Sequence, residues 1–312
     1  MRLSDYEVLY DLPEGQYDGR GIEGVRTRTW RAGQSVEVTA HPIVRYSAEA
    51  KREAKSRKTG KAAAQVNARN TQRHIMRLLE ANFTTEAVVI TGSYSYPVED
   101  YGLCDVAELQ RIYEERKLPW ELERVRQDIR NWRERMARRV RAVGGDAKRD
   151  FKWLVRIEEG KEPPGVGLPA KYHFHAVIEG PGLDKETVRA LWEQGGWRHG
   201  HVDMLDLSDS GAARLSKYFT KQKLGGRWWS HSRNLIDPQP TVSDRKISRR
   251  RLALIAADVS RNAREIFGKL YPGYKLVEVE VRYSDFVQGA YIYARLRRAE
   301  DVRPPWERAK KS

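Results

Sequence analysis

His173 and His175 stand two residues apart around Phe174, inside a run from Lys171 to Gly180 whose apolar and polar positions alternate. That alternation predicts a half-buried strand, on which side chains two apart leave the same face roughly 6.6 Å from one another at ~3.3 Å rise per residue. Two imidazoles so placed can lean together onto one divalent cation. Phe174, Ala176 and Ile178 then enter a core from the other face. Upstream, Glu158 and Glu159 close another apolar run, and a carboxylate there can complete the ligand set. Neighbours on a strand point oppositely, so only one of the two glutamates can join the histidine side. Downstream, Tyr218 and Lys221 lie three apart on a predicted helix and therefore share one side of it. An ordinary phenol has a pKa of ~10, so nucleophilic attack by Tyr218 near neutral pH needs a nearby cation or base. His199 and His201 form a second pair at the same spacing, but Gly200 lies between them. The bulky Phe174 and the upstream carboxylate favour His173 and His175.

The elements that must position these groups follow from the pattern around them. Glu86 to Tyr96 reads as a buried strand, Phe151 to Glu159 as a second, and Lys171 to Glu179 as a third, the last two joined by a loop rich in Pro and Gly. One loop between two strands predicts antiparallel pairing, which returns the Glu158/Glu159 end beside the histidines. Asp184 is placed to cap a helix over Lys185 to Gln194, Trp197 to Leu207 reads as a fourth strand, and a helix from Asp209 or Ser210 to about Lys223 carries Tyr218. A charged insertion spans 105–143. Its second half spaces Leu122, Val125, Ile129, Trp132, Met136 and Val140 as an amphipathic helix, with Arg126, Arg130, Arg133, Arg138 and Arg139 on the outer face. The order strand, helix, strand, strand, helix, strand, helix predicts an α+β fold. Its mainly antiparallel central sheet has helices packed on one face and leaves the other face for function, with peripheral β/α additions at both termini. The expected segments are 1–60, with short strands at Tyr6 to Tyr10, Gly24 to Trp30 and Ser35 to Ala40 and a basic stretch; 61–236, opening on a helix from Ala62 to Asn82; and 237–312, with a helix from about Leu252 to Leu270, two strands and a basic tail.

Fifty-eight Lys plus Arg against 43 Asp plus Glu leave +15 on 312 residues, with a pI near 9.8. Such an excess points to a polyanionic partner, and nine Trp and 15 Tyr interleaved with it suit base stacking beside phosphate contacts. Arg227, Trp228, Trp229, Arg233 and Asn234 gather both functions in one short stretch. The single cysteine, Cys104, excludes an internal disulfide framework and a thiolate cluster, and fits a reducing cytosol. No run approaches the ~18 apolar residues of a membrane span, and the first residues carry no signal-peptide core, which predicts a cytoplasmic protein. Thr59-Gly-Lys-Ala lacks the first Gly and the hydroxyl of a phosphate-binding loop, which argues against an integral helicase motor.

Three stretches in order, Ala87 to Gly92 (Ala-Val-Val-Ile-Thr-Gly), Tyr172 to Ile178 (Tyr-His-Phe-His-Ala-Val-Ile) and Tyr218 to Lys221 (Tyr-Phe-Thr-Lys), resemble the motifs of the HUH endonucleases. The resemblance is in particular to the single-tyrosine rolling-circle replication initiators of bacterial plasmids, phages and integrative elements. It spans roughly residues 64 to 235. It implies a ferredoxin-like or RRM-like sandwich that nicks single-stranded or hairpin origin DNA. It further implies Mg²⁺ or Mn²⁺ held by His173, His175 and Glu158, with Glu159 as the alternative, and attack by Tyr218 assisted by Lys221. The products would be a 5′-phosphotyrosine and a free 3′-hydroxyl. A host helicase and polymerase would be the partners in a bacterial cytosol, the gene being carried on a mobile element. A conjugative relaxase, a single-strand transposase and a non-catalytic DNA- or RNA-binding module are the alternatives.

Overall fold

The computed structural model describes residues 22–44, 61–94, 107, 111, 122–160, 172–194, 199–205, 211–218, 229–283 and 290–299. In chain order the elements are β1 (Ile22–Ala32), β2 (Ser35–Val44), α1 (Lys61–Asn82), β3 (Val88–Gly92), α2 (Leu122–Ala142), β4 (Lys152–Glu159), β5 (Tyr172–Glu179), α3 (Lys185–Glu193), β6 (His199–Met204), α4 (Gly211–Tyr218), β7 (Trp229–His231), β8 (Thr241–Ser243), α5 (Arg249–Ala257), α6 (Val259–Leu270), β9 (Tyr274–Tyr283) and β10 (Ala290–Arg298). The strands form two antiparallel five-stranded sheets, an α+β architecture. The chain divides into two compact units, one of Met1–Ala81, Ser208–Ser216 and Ile236–Ser312, the other of Asn82–Leu207 and Lys217–Leu235. The strand expected at Tyr6 to Tyr10 and the basic stretch of 48–60 lie outside the described residues.

The second unit carries the sheet β6-β3-β5-β4-β7. Strand parity divides its residues: Val88 and Ile90 of β3, Val155 and Ile157 of β4, and Phe174, Ala176 and Ile178 of β5 bury one face against Val125, Ile129, Trp132, Met136 and Val140 of α2 and Val188 and Trp192 of α3. The apolar spacing read from the sequence therefore does set the buried side of α2. Asp184 caps α3 as expected, its Oδ1 accepting from the backbone N–H of Thr187 at 2.7 Å. Phe174 packs against Trp132 and Trp192 at centroid distances of 5.1 and 4.7 Å. Gly92 sits across from Phe174 in the β3–β5 ladder, and a Cβ there would lie 2.1 Å from the ring carbons. The Thr-Gly ending of the first strand motif thus has a steric cause: a side chain at Gly92 and the Phe174 ring claim the same space.

The first unit carries the sheet β8-β1-β2-β10-β9. Strands from the two ends of the sequence meet here, since β2 pairs with β10. One face packs Val25, Val36, Val38, Ile292 and Leu296 against Leu252 and Ile255 of α5 and Phe267 of α6. The other face is polar and still buried. There Arg77 of α1 donates to Glu37 at 2.8 Å, Arg73 donates to Glu280 at 2.9 Å with its guanidinium 3.6 Å over the Tyr293 ring, and Arg297 donates to Glu80 at 2.6 Å. Buried charges of this kind persist only when paired. Gly33, in the β1–β2 turn, adopts φ +52° with its Cα facing the Glu80 carbonyl, where a Cβ would approach to 2.1 Å.

Two local expectations are corrected. The helix expected from about Leu252 to Leu270 starts earlier and is two helices, because Asp258 leaves helical geometry (φ −143°, ψ 93°) and its carboxylate accepts from the N–H of Arg261 at 3.1 Å, capping α6. The first buried strand is shorter than Glu86 to Tyr96, covering Val88–Gly92.

Candidate metal centre

The β4–β5 ladder sets Glu158 directly opposite His173, and Arg156 opposite His175; the β3–β5 ladder sets Thr91 opposite His175. All five belong to the parity class that faces away from α2 and α3, so one face of three adjacent strands collects them. Leu154 and Val177 are buried on that same face, so it is open only in part. The side chains of His173, His175 and Glu158 are 28%, 16% and 8% exposed.

Glu158 Oε2 lies 3.4 Å from His173 Nε2 and 3.6 Å from His175 Nε2, and the imidazole centroids are 5.2 Å apart and nearly perpendicular at 88°. One donor atom from each of the three residues lies within 4.8 Å of the others, the one such His/Cys/Asp/Glu group among the described residues. Ligands bonded at about 2.1 Å around one ion sit about 3.0–3.4 Å apart, so this spacing fits a shared cation after small adjustments. Two imidazole nitrogens and one carboxylate oxygen on one side are a donor set that accepts Mn²⁺ and other divalent ions and leaves further positions for an oxygen ligand.

Two further side chains hold the donors. Arg156 donates from Nε to Glu158 Oε1 at 3.1 Å, leaving Oε2 toward the imidazoles. Burial alone would raise the pKa of Glu158, but hydrogen bonds from His173 and His175, the charge of His175 and the Arg156 hydrogen bond outweigh it and hold the carboxyl well below the usual range. Thr91 Oγ1 lies 3.0 Å from His175 Nδ1. When Nε2 is the ligating atom, Nδ1 carries the proton and donates to Thr91, which fixes the tautomer and the ring. Neither Arg156 nor Thr91 was assigned a role from sequence. The signal for both was parity: Arg156 lies two before Glu158 inside an apolar strand, and Thr91 ends the first strand motif.

Glu159, the alternative ligand, is half-buried opposite Tyr172 and by alternation leaves on the other face. His199 and His201 lie on edge strand β6; their side chains lie outside the described residues. Tyr218 ends α4, and its side chain, like Lys221, Arg227 and Trp228, lies outside them too. Trp229 falls on β7 opposite Arg156, with its ring stacked on His231 at 5.5 Å and 22°. It is thus on the metal-centre face, one strand over from Glu158. Arg233 is exposed. Asn234 donates through Nδ2 to the carbonyls of Arg149 at 2.8 Å and Phe151 at 3.2 Å, tying the segment after β7 to the start of β4. The arginines of α2 are engaged within the protein: Arg130 with Gln127, Arg126 with Glu123, and Arg133 with its guanidinium 3.9 Å over the Trp153 ring.

A family model for replication-associated proteins of the ORF2 type matches residues 113–223. The matched span holds β4 and β5 with all three candidate ligands, and α4 with Tyr218. No curated protein and no solved structure matches the chain. The match supports a replication initiator role, with DNA as the partner that such a role implies. Among the described residues, no helix is long and apolar enough to cross a membrane.

Proposed function

We propose that this chain is a single-tyrosine HUH-type initiator that nicks single-stranded or hairpin origin DNA and so starts rolling-circle replication. The observation that carries the reading is the convergence of Glu158, His173 and His175 on one sheet face, within a segment similar to replication-associated proteins. His173 and His175 would offer Nε2 and Glu158 would offer Oε2 to Mg²⁺ or Mn²⁺, which when bound supplies Lewis-acid polarisation of the scissile phosphate. Thr91 and Arg156 keep those donors aimed. The Tyr218 oxygen attacks phosphorus in line, the 3′-oxygen leaves, and the products are a 5′-phosphotyrosine and a 3′-hydroxyl able to prime synthesis. Lys221, one turn on, steadies the phenolate or the phosphate. Because the covalent link keeps the phosphodiester energy, the same groups can rejoin ends; a host helicase and polymerase would act between the two events. Trp229, with Arg227, Trp228, Arg233 and Asn234, would hold the strand, its ring offering a stacking surface for a base beside the metal centre.

The test incubates the protein with single-stranded DNA from the replicon that encodes it, with Mn²⁺ or with EDTA, and looks for an SDS-resistant protein–DNA adduct. The adduct should form only with the metal and vanish in Tyr218→Phe and His173→Ala. An adduct that survives Tyr218→Phe overturns the nucleophile. If the wild type binds the strands but never forms an adduct, the chain is a binding module.

A further inference from the structure

Arg156 is an unusual neighbour for a cation site. Its side chain is 5% exposed, so its charge is fixed in place, and it is bonded to the one carboxylate of the cluster. The guanidinium and Glu158 sum to zero formal charge, and the imidazoles are neutral when they ligate. No second carboxylate joins the group among the described residues. A divalent cation seated there would keep two positive charges almost uncompensated in a half-buried place, where screening by water is weak. A phosphodiester brought to the cation's open side supplies the missing negative charge.

We infer that Arg156 sets the charge of this centre so that a divalent cation and a nucleic-acid phosphate bind it as a linked pair, each weak without the other. The inference rests on the metal-centre reading above. Arg156 is then a positioning and charge-balancing residue: its Nε–H fixes which carboxylate oxygen faces the imidazoles, and its charge keeps the cation from being held tightly before the strand arrives. Linkage makes the effect reciprocal, so the strand tightens the cation by the same factor as the cation tightens the strand.

The experiment titrates Mn²⁺ into the full chain by electron paramagnetic resonance, with and without an oligodeoxythymidylate strand, all in a Tyr218→Phe background so that no strand is cut. For the parent chain the strand should tighten Mn²⁺ by ~5–150-fold. Arg156→Gln keeps an N–H donor for Glu158 and removes the charge. It should bind Mn²⁺ alone at least about tenfold more tightly and lose most of the coupling, whereas Arg156→Lys should keep the coupling. A purely structural arginine would change thermal stability and leave the coupling intact. Coupling in Arg156→Gln equal to the parent's, or weaker Mn²⁺ binding by that variant alone, overturns the inference. Should Arg156→Gln not fold by near-ultraviolet circular dichroism, the parent chain decides: Mn²⁺ affinity indifferent to the strand overturns it. A parent chain that binds no Mn²⁺ with or without the strand, matching a His173→Ala control, instead overturns the metal centre itself.

Discussion

Gly92→Ala is the substitution that links the core most directly to the metal centre. The new Cβ would lie 2.1 Å from two ring carbons of Phe174, far inside van der Waals contact. Phe174 is fully buried and wedged against Trp132 and Trp192, so the ring cannot swing aside without disturbing both indoles. Overpacking of this kind costs ~1–3 kcal/mol. Phe174 also lies between His173 and His175 in β5, so a shift of its backbone moves both imidazoles relative to Glu158. Denaturant unfolding should show the loss, and amide exchange should locate it in β3 and β5, because the two units can open separately. The decisive form is a double-mutant cycle. Phe174→Leu alone loses ring packing, but in the Gly92→Ala background it relieves the clash, so the two changes should couple favourably by ~0.5–3 kcal/mol. Mn²⁺ binding should weaken in Gly92→Ala and recover in part in the double variant. A Gly92→Ala protein within about 0.5 kcal/mol of the parent, or strictly additive changes, would refute the steric account of this glycine.

In the first unit, Arg297→Met removes the guanidinium from Glu80 in a pair whose side chains are each 3% exposed; the expected loss is ~3–5 kcal/mol in thermal or chemical unfolding, with Glu80→Leu/Arg297→Met losing clearly less. His41 is fully buried beside Arg26, Arg28 and Asp244; burial first, then repulsion from Arg28 and Arg26, pushes its pKa from 6.5 down to about 4. The folded-state pKa is depressed, so the stability is present above about pH 6.5 and is lost as pH falls toward 4, by ~3 kcal/mol in all. His41→Phe should flatten that part of the stability–pH curve, and an unchanged slope would refute the assignment. Trp229→Ala should weaken single-strand binding by ~1–3 kcal/mol in fluorescence anisotropy while Trp229→Phe keeps most of the affinity; an unaltered affinity in Trp229→Ala removes the stacking role.

The candidate centre was legible because it depends on parity and on one short connection. Two strands joined by one loop pair antiparallel, and alternation then determines which of Glu158 and Glu159 can face the histidines. The helix α2 was legible for the same reason, its apolar stripe being long and regular. What escaped was set by contacts distant in sequence. The pairing of β2 with β10 joins residues near the two ends of the chain, and no local pattern reveals which distant strand a terminal strand will choose. The strands β7 and β8, three residues each, are too short to show alternation. The break at Asp258 was hidden because apolar spacing continues through it, although Asp is a residue whose side chain competes with the helix backbone. Arg156 read as an ordinary charged strand residue, since only the fold shows that its partner is a ligand.

The positive charge of the chain also has a different meaning in the fold than in the composition. Arg135 donates from Nε to the Leu191 carbonyl at 2.8 Å, Arg139 to that of Gly182 at 3.4 Å, and Arg133 covers Trp153. These partners carry no net charge, so the three arginines contribute fully to the field around the protein while their heads are committed to holding α2 against α3 and the sheet. Such groups attract a strand from a distance but do not follow its phosphates. Arg73, Arg77 and Arg297 go further, their charge being neutralised by buried carboxylates. Direct phosphate contacts, which alone set the salt dependence of single-strand affinity, must therefore be fewer than a net charge of +15 suggests. They must come from basic residues whose heads are not held by carbonyls, rings and carboxylates, as Arg233 beside β7 illustrates by its exposure.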